Sequence, residues 1–146
     1  MTILNDEILK DLNLAREVIS NEDCSVVIIK YCKIWKKIKG EGVKPMLEAI
    51  EELGEDINES VIGDKILGKA SALLCRYAKA SGVYSPQGTK TAIALLIMGG
   101  IPCQIDQMIP FIQNKNGDDI CPFEKILKNV ESPDKAYIIL KDKLMK

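Results

Sequence analysis

The hydrophobic pattern of the chain alternates between segments with helical spacing and short apolar runs. From the cap residue Asn5, apolar positions recur every three or four residues as far as Ile19, which predicts a helix. The β-branched segment 24–30 predicts a buried strand, and the loosely alternating segment 33–39 predicts its hairpin partner. The chain is therefore expected to open with a helix and a β-hairpin.

Helices and strands alternate through the rest of the chain. Further helices are predicted to begin at Pro45, Asp64, Thr89, Pro122 and Pro133. Short strands are predicted at 60–62, 82–84 and 101–105, with Ser85-Pro86 closing the second, Asp106 capping a turn after the third, and a polar turn at 114–119. Repeated β-α-β connections predict an α/β fold, a three-layer α-β-α sandwich with a mixed sheet, whose ligands usually lie at the carboxyl ends of the strands.

Composition limits the class of protein. The chain has 146 residues, which predicts one domain over 1–146, and its net charge of −1 argues against a general nucleic-acid binder. The N-terminal residues do not resemble a signal peptide, and no apolar run approaches the roughly 20 residues of a membrane span. The five cysteines match no disulfide framework. We therefore expect a cytoplasmic protein with reduced thiols and no membrane contact.

The sequence contains no histidine. This removes the usual general base and the commonest metal ligand, and it excludes nucleophiles of the Ser-His and Cys-His types. A zinc site would need four thiolates or carboxylates, and no C-x-x-C pair is present to begin one. We therefore expect neither a metal nor a cofactor.

A glycine-lysine motif is the first candidate site. Gly63, four residues and Gly68-Lys69 approach a phosphate-binding P-loop, but Ala70 stands where that loop needs Ser or Thr. Large apolar residues also fill the interior of the motif. A true P-loop is therefore disfavoured.

The same segment can still bind an anion. If a helix begins at Asp64, Lys65 and Lys69 share one of its faces near the N-terminus, where unpaired N–H groups attract negative charge. Two interpretations stay open: a functional anion site, and a solvated lysine face in which Gly68 admits a neighbouring helix.

Cys121 is a candidate nucleophile that needs no histidine. It stands at the predicted start of the helix opened by Pro122, where the helix dipole stabilises a thiolate. Glu124 in the first turn opposes that stabilisation and could instead satisfy the N-terminal amides. We favour a packed, unreactive cysteine over a reactive one.

Lysines surround Trp35 in the segment 30–44. Such a pattern can bind single-stranded nucleic acid, but it is also typical of a hairpin with one solvated face and a protected edge. The acidic segment 48–60 follows directly and balances the charge. We favour the hairpin and expect no nucleic-acid partner.

Several motifs together resemble an uncharacterised prokaryotic family, a domain of unknown function with a cytidine-deaminase-like fold. The matching motifs are Cys24-Ser-Val-Val, Gly42-Val43-Lys44-Pro45, Asp64-Lys65-x-x-Gly68-Lys69-Ala70-x-Ala72, Asn114 and Cys121-Pro122-x-Glu124. Members of that family tend to have alanine, arginine and methionine where this chain has Gly63, Lys115 and Phe123. The resemblance runs from Cys24 to the C-terminal end.

The resemblance implies a deaminase-like cleft without zinc. Zinc deaminases place H-x-E and P-C-x-x-C at two helix N-termini, which correspond here to 43–45 and 63–68, and neither segment matches. Pro102-Cys103 lacks the second cysteine. The cleft would instead present a set of residues suited to a phosphate, a carboxylate or a nucleotide-like ligand: Lys44, Asp64, Lys65, Gly68, Lys69, Asn114, Cys121 and Glu124.

Three functions are compatible with these residues. The preferred hypothesis is the binding of a small anionic or nucleotide-like ligand at the predicted helix start between Asp64 and Lys69. The second is a metal-independent enzyme in which Cys121, or Asp64 with Lys65, is catalytic. The third is an oligomerisation or interaction module, a homodimer for instance, which predicts a wide apolar surface in place of a polar cleft.

Overall fold

The chain folds as helices packed on both faces of one sheet. The computed structural model describes residues 5–112 and 121–145. Its helices are α1 (Asp6–Asn21), α2 (Lys44–Leu53), α3 (Lys69–Tyr77), α4 (Lys90–Met98), α5 (Pro122–Ile126) and α6 (Pro133–Leu144), and a 3-10 turn covers Gly54–Ile57. Its strands are β1 (Val26–Lys30), β2 (Lys33–Ile38), β3 (Val61–Asp64), β4 (Gly82–Thr89) and β5 (Cys103–Ile109).

The five strands form one mixed sheet in the order β2-β1-β3-β4-β5. β1 is antiparallel to β2 and β3, whereas β3, β4 and β5 are parallel and are linked by α3 and α4. Successive side chains of a strand face opposite layers, so Val27 and Val61 pack against α1 while Val26 and Ile62 face α2, α3, α4 and α6. The predicted three-layer α/β fold is confirmed. Within the described ranges, no helix has the length and apolar character needed to cross a bilayer.

Three helices begin at side-chain caps that the local sequence encodes. Asn5, Thr89 and Ser132 each accept a hydrogen bond from the N–H three residues ahead, at 2.9, 3.1 and 3.3 Å. Each cap satisfies an N–H that has no partner inside its helix, a contribution of about 1 kcal/mol. The predicted starts of α1, α4 and α6 are confirmed, as is the end of α2 at Gly54.

The predicted start of α3 is wrong. Asp64 is the last residue of β3, and the helix begins only at Lys69. The chain between them bends at Lys65 and Ile66 and then pairs with β4 at Leu67. The N–H of Leu67 donates to the carbonyl of Gln87 at 2.8 Å, and the carbonyl of Leu67 accepts from the N–H of Thr89 at 2.9 Å. These bonds continue the parallel pairing with β4, and a helix beginning at Asp64 would break them.

β4 and β5 are longer than predicted. β4 runs through Pro86, which was expected to close it, and ends at Thr89 because its second half pairs with β5. β5 extends to Ile109. Pairing between distant segments therefore overrides the local turn signal of Ser85-Pro86.

Asp106 lies within β5 and caps no turn, which corrects a second prediction. Its carboxylate accepts a hydrogen bond from the Tyr84 hydroxyl at 2.5 Å and pairs with Arg16 of α1. These contacts lower the pKa of Asp106, with the Tyr84 hydrogen bond as the largest cause. The predicted polar turn at 114–119 lies outside the described residues.

The turn between β1 and β2 offers a direct test of local strain. Tyr31 and Cys32 have φ angles of 54° and 63°, which side chains other than Asn and Gly adopt at a cost of about 1 kcal/mol or more each. Replacing them with Asn-Gly, the preferred pair for a turn of this kind, should raise the free energy of unfolding by about 1 kcal/mol. Urea unfolding measures this change. Cys32→Ser keeps a side chain at the strained position and serves as the control; equal stability of the Asn-Gly and Ser variants would contradict the assignment of strain.

Candidate functional site

The candidate site forms where the N-termini of α2 and α3 meet the carboxyl edge of the parallel strands. The short helix α5 lies against both. A Cβ built on Gly42, just before α2, would lie 3.4 Å from the ring of Phe123. A Cβ on Gly68, at the start of α3, would collide with the carboxylate of Glu124. Two predicted features of the deaminase-like cleft, its two helix starts, are thus brought together and covered by α5.

Glu124 occupies the N-terminus of α3 with its own carboxylate. The N–H of Lys69 donates to Oε1 at 2.7 Å, and the N–H of Ala70 donates to Oε2 at 3.0 Å. Each of these N–H groups belongs to the first turn of α3, where helix geometry provides no carbonyl partner. The favourable end of the helix dipole adds to the attraction. The chain therefore places one of its own carboxylates at the N-terminus of α3.

Gly68 makes this approach possible. A Cβ at this position would overlap the Ile112 side chain and the Glu124 carboxyl group, whose carbon would be 2.8 Å away. The backbone of Gly68 is extended, with a φ of −111°, so its role is space for the carboxylate and not a conformation that only glycine adopts. The predicted close approach at Gly68 is present, and the approaching group is a side chain of α5.

The lysines do not form the predicted cluster. Lys65 precedes α3, so it does not share a helical face with Lys69, and its side chain is exposed. Its N–H donates to the carbonyl of Ser25 at 2.9 Å. The Lys69 ammonium donates to the carbonyl of Lys128 at 3.0 Å. Lys44 is the first residue of α2 and is exposed. The predicted helical face shared by Lys65 and Lys69 is therefore wrong.

Asp64 is buried beneath the start of α3. Its residue is 5% exposed, and burial raises the pKa of its carboxyl group to about 7. Hydrogen bonds from the Ser71 side chain and the N–H of Ile66 lower that pKa in part. The pKa of the Cys75 thiol is also raised. Burial is the largest cause, and the negative charge of the Asp64 carboxylate is the second. Asp64 is thus a carboxyl group that changes its protonation near neutral pH.

Ser71 and Cys75 are site residues that the sequence analysis missed. Both lie on α3 and are buried, and both interact with Asp64. Their spacing of four residues places them on one helical face. That signal was present in the sequence, but Asp64 was assigned to the same helix and not to the strand facing it.

Cys121 and Asn114 complete the predicted set. Cys121 is the residue before α5, half-buried, and its N–H donates to the carbonyl of Ile112 at 2.7 Å. α5 has only five residues, too few to build a strong dipole. Asn114 lies outside the described residues. Within the described ranges, no group of three or more Cys, Asp or Glu side chains is arranged to hold a metal ion.

The lysine-rich hairpin is balanced by carboxylates. Lys37 pairs with Glu22 at 2.7 Å and Lys39 with Asp23 at 2.6 Å, and a third lysine of the hairpin pairs with α2. The Trp35 indole donates to the carbonyl of Lys30 at 3.3 Å. These contacts favour the solvated hairpin that we preferred from the sequence.

Several large apolar side chains among the described residues are exposed, as the oligomerisation hypothesis predicts of an interface. Ile97 and Met98 of α4 are 65% and 72% exposed. Exposed apolar side chains are common on monomers, so a homodimer stays a prediction.

Comparison with known proteins identifies the family. Residues 14–144 match the sequence profile described as a domain of unknown function, DUF1893. The crystal structure of a DUF1893 family protein from Thermotoga maritima superposes with a TM-score of 0.85 at 25% identity, covering 98% of this chain and 94% of that one. No protein of curated function matches the chain significantly.

More distant similarity shows the fold. Two forms of RibD from Acinetobacter baumannii superpose with TM-scores of 0.52 and 0.53 at 14% identity, covering 69% and 68% of this chain and 36% of RibD. RibD contains a cytidine-deaminase-like fold, so the predicted fold is confirmed at this level. From the match over residues 14–144, the chain belongs to the DUF1893 family, a domain of unknown function.

Proposed function

We propose that this chain binds a small anionic or nucleotide-like ligand at the N-terminus of α3. The observation that carries the proposal is the carboxylate of Glu124 on the N–H groups of Lys69 and Ala70, at 2.7 and 3.0 Å. A carboxylate or phosphate oxygen of a ligand would make the same two hydrogen bonds. Glu124 then acts as an internal substitute that the ligand displaces.

Surrounding charges support the same proposal. Lys69 lies at the start of α3, and Lys44, which is exposed, lies at the start of α2, so both helix starts beside α5 carry a positive charge. Asp64 is buried below them with a pKa of about 7, so a substantial fraction is uncharged at neutral pH and repels an anion less than an ordinary aspartate. The five free cysteines support the cytoplasmic setting that we propose.

Glu124→Ala tests the proposal directly. Loss of the cap should lower the free energy of unfolding by about 1 kcal/mol, while the affinity for phosphate compounds and small carboxylates should rise about tenfold because no internal anion competes. A thermal-shift screen with nucleotides, inorganic phosphate and dicarboxylates measures both effects. A ligand at 100 times its dissociation constant should stabilise the protein by about 2.7 kcal/mol.

The matched control is Glu131→Ala, which removes the same charge from an exposed position before α6. It should leave stability and affinity at wild-type values. Lys69→Ala should weaken the binding that the Glu124 variant enhances. Failure of every phosphate and carboxylate compound to stabilise both wild type and Glu124→Ala would refute the proposed function.

A metal-independent enzyme is the second candidate, and Asp64 is the observation that favours it. A carboxyl group with a pKa of about 7 can donate and accept protons at neutral pH. Its partner would be the Ser71 hydroxyl, since Lys65 is exposed and precedes α3. Loss of turnover in Asp64→Asn with binding retained would distinguish an enzyme from a binding domain, once the ligand is known.

A further inference from the structure

A cavity of about 250 Å³ opens at the amino edge of the parallel strands. We call it the amino-edge cavity. Its lining residues come from the end of α3, the following loop, the end of α4 and the start of α6: Arg76, Lys79, Ala80, Gly99, Ile101 and Pro133. Arg76 lies seven residues beyond Lys69 on α3, about 10 Å along the helix. The cavity is therefore separate from the Glu124 site.

The charge of the amino-edge cavity is entirely positive. Arg76 and Lys79 line it, and no acidic residue does. Across residues 5–112 and 121–145, neither cation takes part in an ion pair or a side-chain hydrogen bond. Arg76 is half-buried and Lys79 is exposed. The negative ends of the α3 and α4 dipoles offset part of this positive charge, and no carboxylate among the described residues pairs with either cation.

Backbone N–H groups already bond to the carbonyls at the nearby helix ends. At the end of α3, the N–H of Lys79 donates to the carbonyl of Arg76 at 3.0 Å and the N–H of Ala80 to that of Cys75 at 3.1 Å. At the end of α4, the N–H of Gly100 donates to the carbonyl of Ile97 at 2.9 Å. Because backbone N–H groups already satisfy these carbonyls, the two cations are not required as their hydrogen-bond partners.

Gly99 provides the space that Arg76 occupies. A Cβ at this position would lie 2.8 Å from Nε of Arg76 and 3.1 Å from its Cδ and Cγ. The φ of Gly99 is −84°, which any residue can adopt. Glycine at position 99 therefore provides space for the guanidinium, and the backbone conformation does not require it.

Lys79 stands where glycine is usual. Its φ of 57° is the left-handed conformation that follows many helices, and glycine or asparagine adopts it at the lowest cost. Lys79 adopts this conformation despite the cost, and its cation lines the cavity. An observed strained residue of this kind points to a functional constraint.

We propose that the amino-edge cavity binds a small dianion, with a phosphate group as the reference chemistry. The Arg76 guanidinium would donate two parallel hydrogen bonds to phosphate oxygens, and the Lys79 ammonium would supply a second positive charge. Gly99 leaves room for the guanidinium at this position. This site is independent of the proposed ligand site at Glu124, which lies at the opposite end of α3.

Titration with inorganic phosphate at constant ionic strength, followed by amide NMR, tests the proposal. The amide signals of Lys79, Ala80, Gly99 and Ile101 should shift with saturation in the wild-type protein. Signals of Lys69 and Ala70 report separately on the Glu124 site. Succinate, titrated in parallel, distinguishes a phosphate site from a general dianion site. Saturable binding of either anion at the amino-edge signals supports a dianion site in the cavity.

Three variants make the test specific. Arg76→Gln should weaken phosphate binding at these signals by about tenfold or more. Gly99→Ala should weaken it while both charges remain, because the methyl group displaces the guanidinium. Lys79→Gly should raise Tm and lower affinity together, an opposite pair of effects that a merely structural lysine would not give.

Two controls complete the experiment. Lys135→Gln, on the exposed surface of α6, should leave the affinity unchanged. Glu124→Ala should change the response of the Lys69 and Ala70 signals to phosphate and leave the response of the amino-edge signals unchanged. The proposal is overturned if wild type shows no saturable shift at the amino-edge signals below about 10 mM phosphate, or if Arg76→Gln and Gly99→Ala bind as tightly as wild type.

Discussion

Asp64→Asn should stabilise the protein at pH 8 by up to about 4 kcal/mol and have little effect at pH 4. The pKa of Asp64 is about 7 in the folded protein against a reference value of 3.8. Between these values the folded state binds one more proton than the unfolded state, so stability falls as pH rises. Below pH 4 both states are protonated and the cost is absent; above pH 7 the folded state bears the whole cost of a buried charge. Asparagine has no charge to bury.

Urea unfolding of wild type and Asp64→Asn across pH 4 to 8 measures this difference. The wild-type free energy of unfolding should decline toward pH 7 relative to that of the variant. Asp56→Asn, at an exposed position in the 3-10 turn, is the matched control and should follow the wild-type curve. Parallel curves for wild type and Asp64→Asn would show that the carboxyl group does not titrate between these pH values.

Gly63→Ala should lower the free energy of unfolding by about 1 to 3 kcal/mol through overpacking. Gly63 faces α1, and a Cβ there would lie 2.7 Å from Cγ1 of Val27, 3.2 Å from Cβ of Ala15 and 3.3 Å from Cγ1 of Ile19. The first of these distances requires a side chain or α1 itself to move. Because the site is fully buried between sheet and helix, little space is available for that movement.

Val27→Ala supplies the compensating change. Alone it should destabilise the protein by leaving a cavity, but combined with Gly63→Ala it removes the colliding methyl group. The double variant should therefore lose less stability than the sum of the single variants. Gly63→Ala combined with Ile8→Val, at the far end of α1, is the additive control. A coupling energy below about 0.5 kcal/mol for the Gly63–Val27 pair would contradict overpacking.

The parts of the fold predicted correctly are those that local chemistry determines. Asn5, Thr89 and Ser132 cap helices with their own side chains, so each signal lies within four residues of the structure that it specifies. The errors at Asp64 and Pro86 have the opposite origin. Both segments pair with strands that are distant in the sequence. The local hydrophobic pattern contains no information about that pairing.

The site residues stay a prediction, and the helix start on which they were placed was wrong, since α3 begins at Lys69 and not at Asp64. A helix N-terminus suited to an anion was expected between Asp64 and Lys69, and the hydrogen bonds to Glu124 lie there. The sequence predicted that Glu124 would cap the N–H groups of its own helix, because a capping box spans only three residues. In the structure, Glu124 accepts hydrogen bonds from the N–H groups of Lys69 and Ala70, which are 55 and 54 positions away in the sequence. At Gly63, one of the departures that we expected from the resemblance, a Cβ would lie 2.7 Å from Cγ1 of Val27.

The strand order also bears on how quickly the molecule assembles. In the order β2-β1-β3-β4-β5, every pair of neighbours except β1 and β3 is consecutive in the chain. Contacts between consecutive elements close short loops, which costs little entropy and favours rapid folding. Joining β3 to β1 requires the polypeptide to return over the hairpin and α2, so this pairing is expected to be the slow step that completes the sheet and brings Asp64 beneath its helix.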